Sequence, residues 1–207
     1  MKHKFGVVCL CLSSLMTFNA LANDSATVLK EKLSKVPSLK ANFTQVVTDI
    51  NHREIQRAKG VLALETPNKL YWHLTSPDES LIVADGKDVW LYNPFAEEVT
   101  AMDMKDVISA SPIALLVHHD AKTWKDYKVT QNSNCFSIKP KAVDSTVTDV
   151  GLCFTNNTLS TLNIQDNQGN LSKFALKGQH SLTAKDEGLF KFTVPDGVDI
   201  DDQRATN

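Results

Sequence analysis

Much of the usual equipment for chemistry is missing from this chain. It has four cysteines in 207 residues, two of them (Cys9 and Cys11) inside an N-terminal apolar run. The other two, Cys135 and Cys153, are not spaced as C-x-x-C, which excludes a dithiol redox motif. Its eight glycines build no phosphate-binding loop, and neither a G-x-S-x-G elbow nor an H-E-x-x-H zinc helix occurs. His118 and His119 are adjacent, so on a helix they diverge by about 100° and cannot share a metal. They are expected exposed at a helix C-terminus, where a cation suits the dipole. The acidic pairs Asp78-Glu79 and Glu97-Glu98 lie outside apolar stretches that would shift a carboxylate pKa, so they read as solvated turns. Asp199, Asp201 and Asp202 lack the glycine-centred loop of a calcium site. No catalytic constellation remains; neither an enzyme nor a cofactor or metal is expected.

Long hydrophobic runs are also absent. The longest, Phe5 to Met16, is too short for the roughly 20 residues a membrane helix needs. It follows the basic stretch Met1-Lys2-His3-Lys4 and precedes Ala20-Leu21-Ala22, the pattern of a cleaved secretion signal. The expectation is a signal peptide over 1–22, cut after Ala22, and a single exported domain over 23–207. Cys9 and Cys11 sit in the apolar run without a lipobox. Positive charge is scarce as well. Lys2 and Lys4 leave with the signal, and the remaining basic residues are fewer than the 24 acidic ones. A mildly acidic chain without basic clusters argues against nucleic acid and against binding at a membrane surface.

The mature region reads as one helix followed mostly by strands. Asp24 or Ser25 can cap a helix over 25–36 whose Leu29, Leu33 and Val36 form one apolar stripe, ended by Pro37. Alternation then takes over. Leu62 and Leu64 share a face, as do Leu70, Trp72 and Leu74, with Thr66-Pro67-Asn68 as the turn between the two runs. Asp85-Gly86 marks a hairpin. SKFAL and LFKFTV (Phe190, Phe192, Val194) read as further strands. Ser111-Pro112 opens a short apolar helix over 112–118, and Trp124 lies in another helical turn.

The two remaining cysteines can be tested for pairing. If the strands around 134–140 and 150–155 run antiparallel with Cys135 opposite Cys153, then Phe136 falls opposite Leu152 and Ile138 opposite Val150. One register satisfies both the cysteines and the apolar pairs, which favours a structural disulfide in an exported protein; the alternative is two buried thiols. A sheet this long must curl, and its apolar concave face needs a cover. The helices over 25–36 and 112–118 are the candidates. The expected fold is therefore mainly β (α+β): a curved antiparallel sheet under a lid of short helices. Periodicity does not distinguish a packed core from a cavity beneath that lid.

The segment from Ser76 to Thr100, SPDESLIVADGKDVWLYNPFAEEVT, carries PDES, ADGK and YNPF in an order and spacing that resemble the LolA family of periplasmic carriers. LSKVPSLKANFTQ (Leu33 to Gln45) and the terminal Val198-Asp199-Ile200-Asp201-Asp202-Gln203-Arg204 extend the likeness over essentially the whole mature chain. The resemblance implies an incomplete antiparallel β-barrel closed by helices over an apolar cavity. It implies a monomeric periplasmic chaperone, using no cofactor. Such a protein takes acylated outer-membrane lipoproteins from an inner-membrane ABC transporter and delivers them to the outer-membrane receptor LolB. On this resemblance Leu70 and Trp72 match cavity-facing positions. Leu62 and Leu64 share the adjoining inward face, Leu74 continues the Leu70–Trp72 face, and Ile113 and Leu116 fall on the lid. Thr66, before Pro67, occupies the lid and transfer position where relatives carry arginine. Threonine lacks that fork of donors, and Lys69 or Arg57 are the candidates to replace it. The alternative is a periplasmic lipid-binding or sensor protein of the same fold with a different ligand.

Overall fold

A computed structural model describes residues 24–110, 112–118, 120 and 122–205. The expected signal peptide, its cut after Ala22, and Ser111 and His119 lie outside those residues. The chain opens with helix α1 (Ser25–Ser34), whose Leu29 and Leu33 are buried. Asp24 occupies the N-cap position but makes no side-chain capping bond. Six antiparallel strands follow as a meander: β1 (Ser38–Thr48), β2 (Glu54–Glu65), β3 (Lys69–Ser76), β4 (Ser80–Asp85), β5 (Asp88–Asn93) and β6 (Glu98–Asp103). Helix α2 (Met104–Ala110) and two 3-10 turns, Pro112–Leu116 and Thr123–Asp126, then cross over to a second meander. This comprises β7 (Tyr127–Asn132), β8 (Cys135–Pro140), β9 (Val147–Thr155), β10 (Thr158–Asp166) and β11 (Leu171–His180). A third 3-10 stretch (Ala184–Phe190) leads to the short β12 (Asp199–Asp202).

All twelve strands form one sheet in the order β12-β6-β5-β4-β3-β2-β1-β11-β10-β9-β8-β7. The two meanders join where β1 pairs with β11, and β12 adds to β6 in parallel. Among the described residues β7 and β12 do not pair, so the barrel stays open. Alternation fixes which face looks inward: Leu39, Ala41 and Phe43 of β1, Leu62 and Leu64 of β2, Leu152 and Phe154 of β9, and Phe174 and Leu176 of β11 are buried. The cysteine register is as expected, with Cys135 opposite Cys153, Phe136 opposite Leu152 and Ile138 opposite Val150. The disulfide is formed, with a Cα–Cα distance of 4.1 Å.

One close approach lies near the centre of the sheet. Gly60 lies opposite Phe43. A Cβ there would sit 2.6 Å from the Phe43 ring and collide with the His73 carbonyl, so the ring occupies the space that glycine leaves open.

LFKFTV does not form the strand its alternation suggests. Phe190 ends a 3-10 turn, and residues 191–198 have no ladder partner. The alternation instead serves a strap laid over the convex face of β1–β6. Phe190 is buried, Phe192 stacks on Trp90 at 5.6 Å and meets Tyr92 at 5.8 Å. Lys40 of β1 holds the start of the strap through Asp186 at 2.7 Å. At its far end Arg204 binds Asp202 and Asp88 and lies over the Trp90 ring. The Lys40 bond, followed by bonds from the Thr183 hydroxyl and amide, keeps the Asp186 carboxyl far below the ordinary carboxylate range. Arg204 draws Asp202 down to about 2.

Candidate functional site

The concave side is filled in one half and hollow in the other. Under α1, inward side chains from β1, β2 and β7–β11 interlock as a solid core. Toward β3–β6 there remains an apolar cavity of about 290 Å³. Its floor is Leu70 and Trp72 of β3, Ile82 and Ala84 of β4, Val89 and Leu91 of β5, and Met102 of β6, with Ile164 of β10 reaching in from across. Its roof is Met104 and Val107 of α2 with Ile113, Ala114 and Val117 of the following turn. Every lining residue is apolar. The space can take hydrocarbon and offers nothing to a polar ligand.

The boundary between solid and hollow halves is aromatic. Trp72, Phe43 and Phe174 meet pairwise with centroids 5.5, 5.4 and 4.9 Å apart. Such pairs add about 0.5–1.5 kcal/mol each beyond area burial. Trp72 thus has one side in the core and one in the cavity.

The structure divides the expected cavity residues. Leu70, Trp72 and Ile113 line the cavity. Leu62, Leu64 and Leu116 do not; they are buried in the packed core, and Leu74 packs against the same core. The physical reason is lateral. Leu62, Leu64 and Leu74 face inward, but other core side chains fill the space beside them, which strand alternation does not report, and Leu116 of the 3-10 turn packs into the same core. Helix α2 is absent from the elements expected of the sequence, although Met104, Val107 and Ile108 stand at helical spacing. Ile82, Leu91 and Met102 contribute to the floor without having been singled out by any motif, and their inward positions follow from the hairpin registers.

Thr66 donates both its amide, at 2.9 Å, and its hydroxyl, at 3.2 Å, to the Pro37 carbonyl just beyond α1. Neither candidate to replace the missing arginine reaches the lid: Lys69 pairs with Glu65, and Arg57 with Glu54. His118 also departs from expectation. Rather than projecting into solvent it is half-buried, 2.9 Å from Asn68 Oδ1 and 3.2 Å from Thr123 Oγ1. The turn ends against the β2–β3 hairpin, whose polar tip claims the ring.

Other sites are poor in chemistry. A depression of about 370 Å³ on the convex side, around Gly151 and the disulfide, mixes polar side chains such as Gln131, Asp149 and Asn163 with apolar ones such as Phe136 and Leu171. Among the described residues no three His, Cys, Asp or Glu side chains group as a metal site. Nor is any described helix long and apolar enough to cross a membrane.

An open, curved sheet with an all-apolar cavity under short helices is matched by similarity to known proteins. The family profile described as "Outer membrane lipoprotein carrier protein LolA" matches residues 34–193. The chain belongs to the LolA family. Two LolA-family relatives, both called outer-membrane lipoprotein carrier protein, illustrate the likeness. That of Shewanella sediminis is 55% identical over 204 residues, covering 99% of this chain and 98% of the relative. That of Shewanella sp. strain MR-7 is 56% identical over 193 residues, covering 93% and 94%. Among solved structures, a conserved protein of Thermus thermophilus shares the fold, with TM-score 0.50 and 9% identity over 87% of this chain and 100% of that one. A LolA superfamily protein of Nitrosomonas europaea superposes with TM-score 0.45 and 11% identity over 80% and 97%.

Proposed function

We propose that this chain is a periplasmic lipoprotein carrier, a chaperone that shields the acyl chains of outer-membrane lipoproteins between two membranes. The observation that supports it most is the cavity beneath α2 and the 112–117 turn, roofed, curved and without a polar lining residue. The energetic need is large. At about 0.8 kcal/mol per methylene, a dozen methylenes in water cost on the order of 10 kcal/mol. Unassisted crossing is negligible, and a cavity must stand in for the bilayer.

In this reading the donor is an inner-membrane lipoprotein-releasing ABC transporter and the acceptor the outer-membrane receptor LolB. Residues 1–22 are a signal removed after Ala22, and 23–207 act as one monomeric carrier domain. Leu70, Trp72 and Ile113 contact the acyl chains. The work is transfer rather than catalysis: LolA-family carriers are not enzymes, and the site offers a surface, not reacting groups. Loading is uphill and coupled to the donor; release runs downhill to a receptor that binds tighter. The cavity, about 290 Å³, is small by ligand-pocket standards, at the lower end of about 300–1,000 Å³. Cargo therefore enters by lifting the roof.

The test is release from spheroplasts making an outer-membrane lipoprotein. The purified mature protein should carry that lipoprotein into the soluble fraction as a one-to-one complex, and Leu70→Glu should abolish this. No soluble lipoprotein, beside an active relative as control, would sink the reading.

A further inference from the structure

Besides the Tyr127 hydroxyl on the Ile108 carbonyl of α2, the roof of the cavity is fastened at the β2–β3 hairpin, through residues that no motif marks. The tip of the β2–β3 hairpin carries Asn68 with φ 61°, a left-handed conformation that asparagine tolerates better than most residues. Its amide donates to the Val117 carbonyl at 3.0 Å, and Val117 is itself part of the cavity lining. Its side-chain oxygen stands 2.9 Å from His118 Nδ1. The other ring nitrogen, Nε2, stands 3.2 Å from the Thr123 hydroxyl, on the next 3-10 turn. That turn is in turn held by Asp120, whose carboxylate accepts from the amides of Lys122 and Thr123. A neutral imidazole has one donor and one acceptor. Nδ1 faces the Asn68 oxygen and Nε2 faces the Thr123 hydroxyl, which also stands 3.4 Å from an Asp120 carboxylate oxygen, so both ring atoms have a partner.

One imidazole therefore ties the hairpin to both segments that follow α2. On the opposite side of the same hairpin, Thr66 binds the exit of α1. We propose that Asn68 and His118 form the clasp that holds the cavity roof closed, a positioning role that falls to neither Thr66, Lys69 nor Arg57. They touch no cargo. They set how often the roof lifts, and hence how fast acyl chains enter and leave; what the roof covers rests on the carrier reading, whereas the clasp rests on the hydrogen bonds alone.

The experiment uses the full mature chain and cis-parinaric acid, a fluorescent fatty acid, in stopped flow. Asn68→Gly keeps the left-handed turn and its amide while removing the side chain. His118→Leu keeps bulk without hydrogen bonds, His118→Gln restores one donor and one acceptor, and Thr123→Val releases only the second arm. Losing one or two net hydrogen bonds should raise both association and dissociation rates about tenfold for Asn68→Gly and His118→Leu. Because the clasp acts on empty and loaded carrier alike, the Kd should move by less than about threefold. His118→Gln should recover most of the wild-type rates, and Thr123→Val should fall between. Wild-type rates in Asn68→Gly and His118→Leu, with the probe bound, would overturn the clasp and leave the carrier reading intact. His118→Gln behaving like His118→Leu would do the same, because the ring would then act by filling space.

If the wild-type chain bound no probe, the carrier reading would fail instead. The clasp would then be judged by hydrogen exchange. Faster exchange over 112–118 in Asn68→Gly and Thr123→Val, with β8–β10 unchanged, supports it. Unchanged exchange over 112–118 overturns it.

Discussion

The Trp72 indole meets the Phe174 ring edge to face, with centroids 4.9 Å apart and planes at 89°. This contact joins β3 to β11 across the concave side and walls the cavity off from the solid core. Trp72→Ala should cost about 3–5 kcal/mol of stability, the usual loss when a large aromatic leaves a cavity in a core. Urea unfolding of the mature chain measures it. Leu70→Glu, at the half-buried cavity floor, should keep the circular dichroism of the folded sheet while losing fatty-acid binding. A variant that still bound cis-parinaric acid would show that the cavity is not where hydrocarbon goes.

Gly60 is predicted to tolerate no side chain. Its missing Cβ lies against the His73 carbonyl and 2.6 Å from the Phe43 ring, and only the ring can give way. Gly60→Ala should destabilise by about 1–3 kcal/mol or more through overpacking against backbone. A melting temperature equal to the wild type would contradict this geometry.

The disulfide closes a separation of 18 residues at the outer end of the second meander. Cys135→Ser with Cys153→Ser should lower stability by about 3 kcal/mol on the chain-entropy model. The cavity lies across the sheet from it, so fatty-acid affinity should stay unchanged when both are measured on the same samples.

Acid should loosen the C-terminal strap before it unfolds the sheet. Asp186 and Asp202 have folded pKa values depressed by their hydrogen bonds to Lys40 and Arg204. Their contribution is thus complete above the unfolded value of about 3.9 and declines as pH falls below it. For Asp202 the decline is centred on the interval down to about 2. Between pH 7 and 5 strap attachment should be flat. Exchange of strap amides over 184–203, followed from pH 5 to pH 2.5, tests the sign: protection that grew on acidification would refute it. Asp186→Asn should release the start of the strap already at neutral pH.

The sequence discloses orientation better than occupancy. Alternation places Leu62, Leu64, Leu70 and Trp72 on the inward face, and the cysteine pairing follows from matching Phe136 and Ile138 to Leu152 and Val150. These are local or nearest-strand relationships, which a period of two encodes directly. Whether an inward residue meets another side chain or empty space depends on what lies across the sheet. Leu62 is covered by the core under α1 while Leu70 is not, and nothing in either strand distinguishes them. The strap departs from its expected strand for a related reason: alternation at Phe190, Phe192 and Val194 reports contact on one side, and a chain lying across a sheet produces it as readily as a strand within one. The Asn68–His118 bond is illegible in the sequence because it joins residues 50 apart through a loop that carries no periodicity.

Thr66→Arg offers a check on how the hairpin divides its labour. The present hydroxyl serves α1 through Pro37, so arginine there should slow fatty-acid release by adding a second restraint to the clasped roof. Faster release would mean that the Pro37 bond matters more to closure than a new donor fork does.

The strap over β1–β6 has a mechanical consequence. The half of the sheet that is hollow inside is the half that is clad outside, by Phe190, Phe192 and Arg204. A sheet with an unfilled inner face has lost the packing that would ordinarily keep it from sagging inward. The cladding backs that half of the sheet from outside, like ribs on the outside of a hull, where little within supports it.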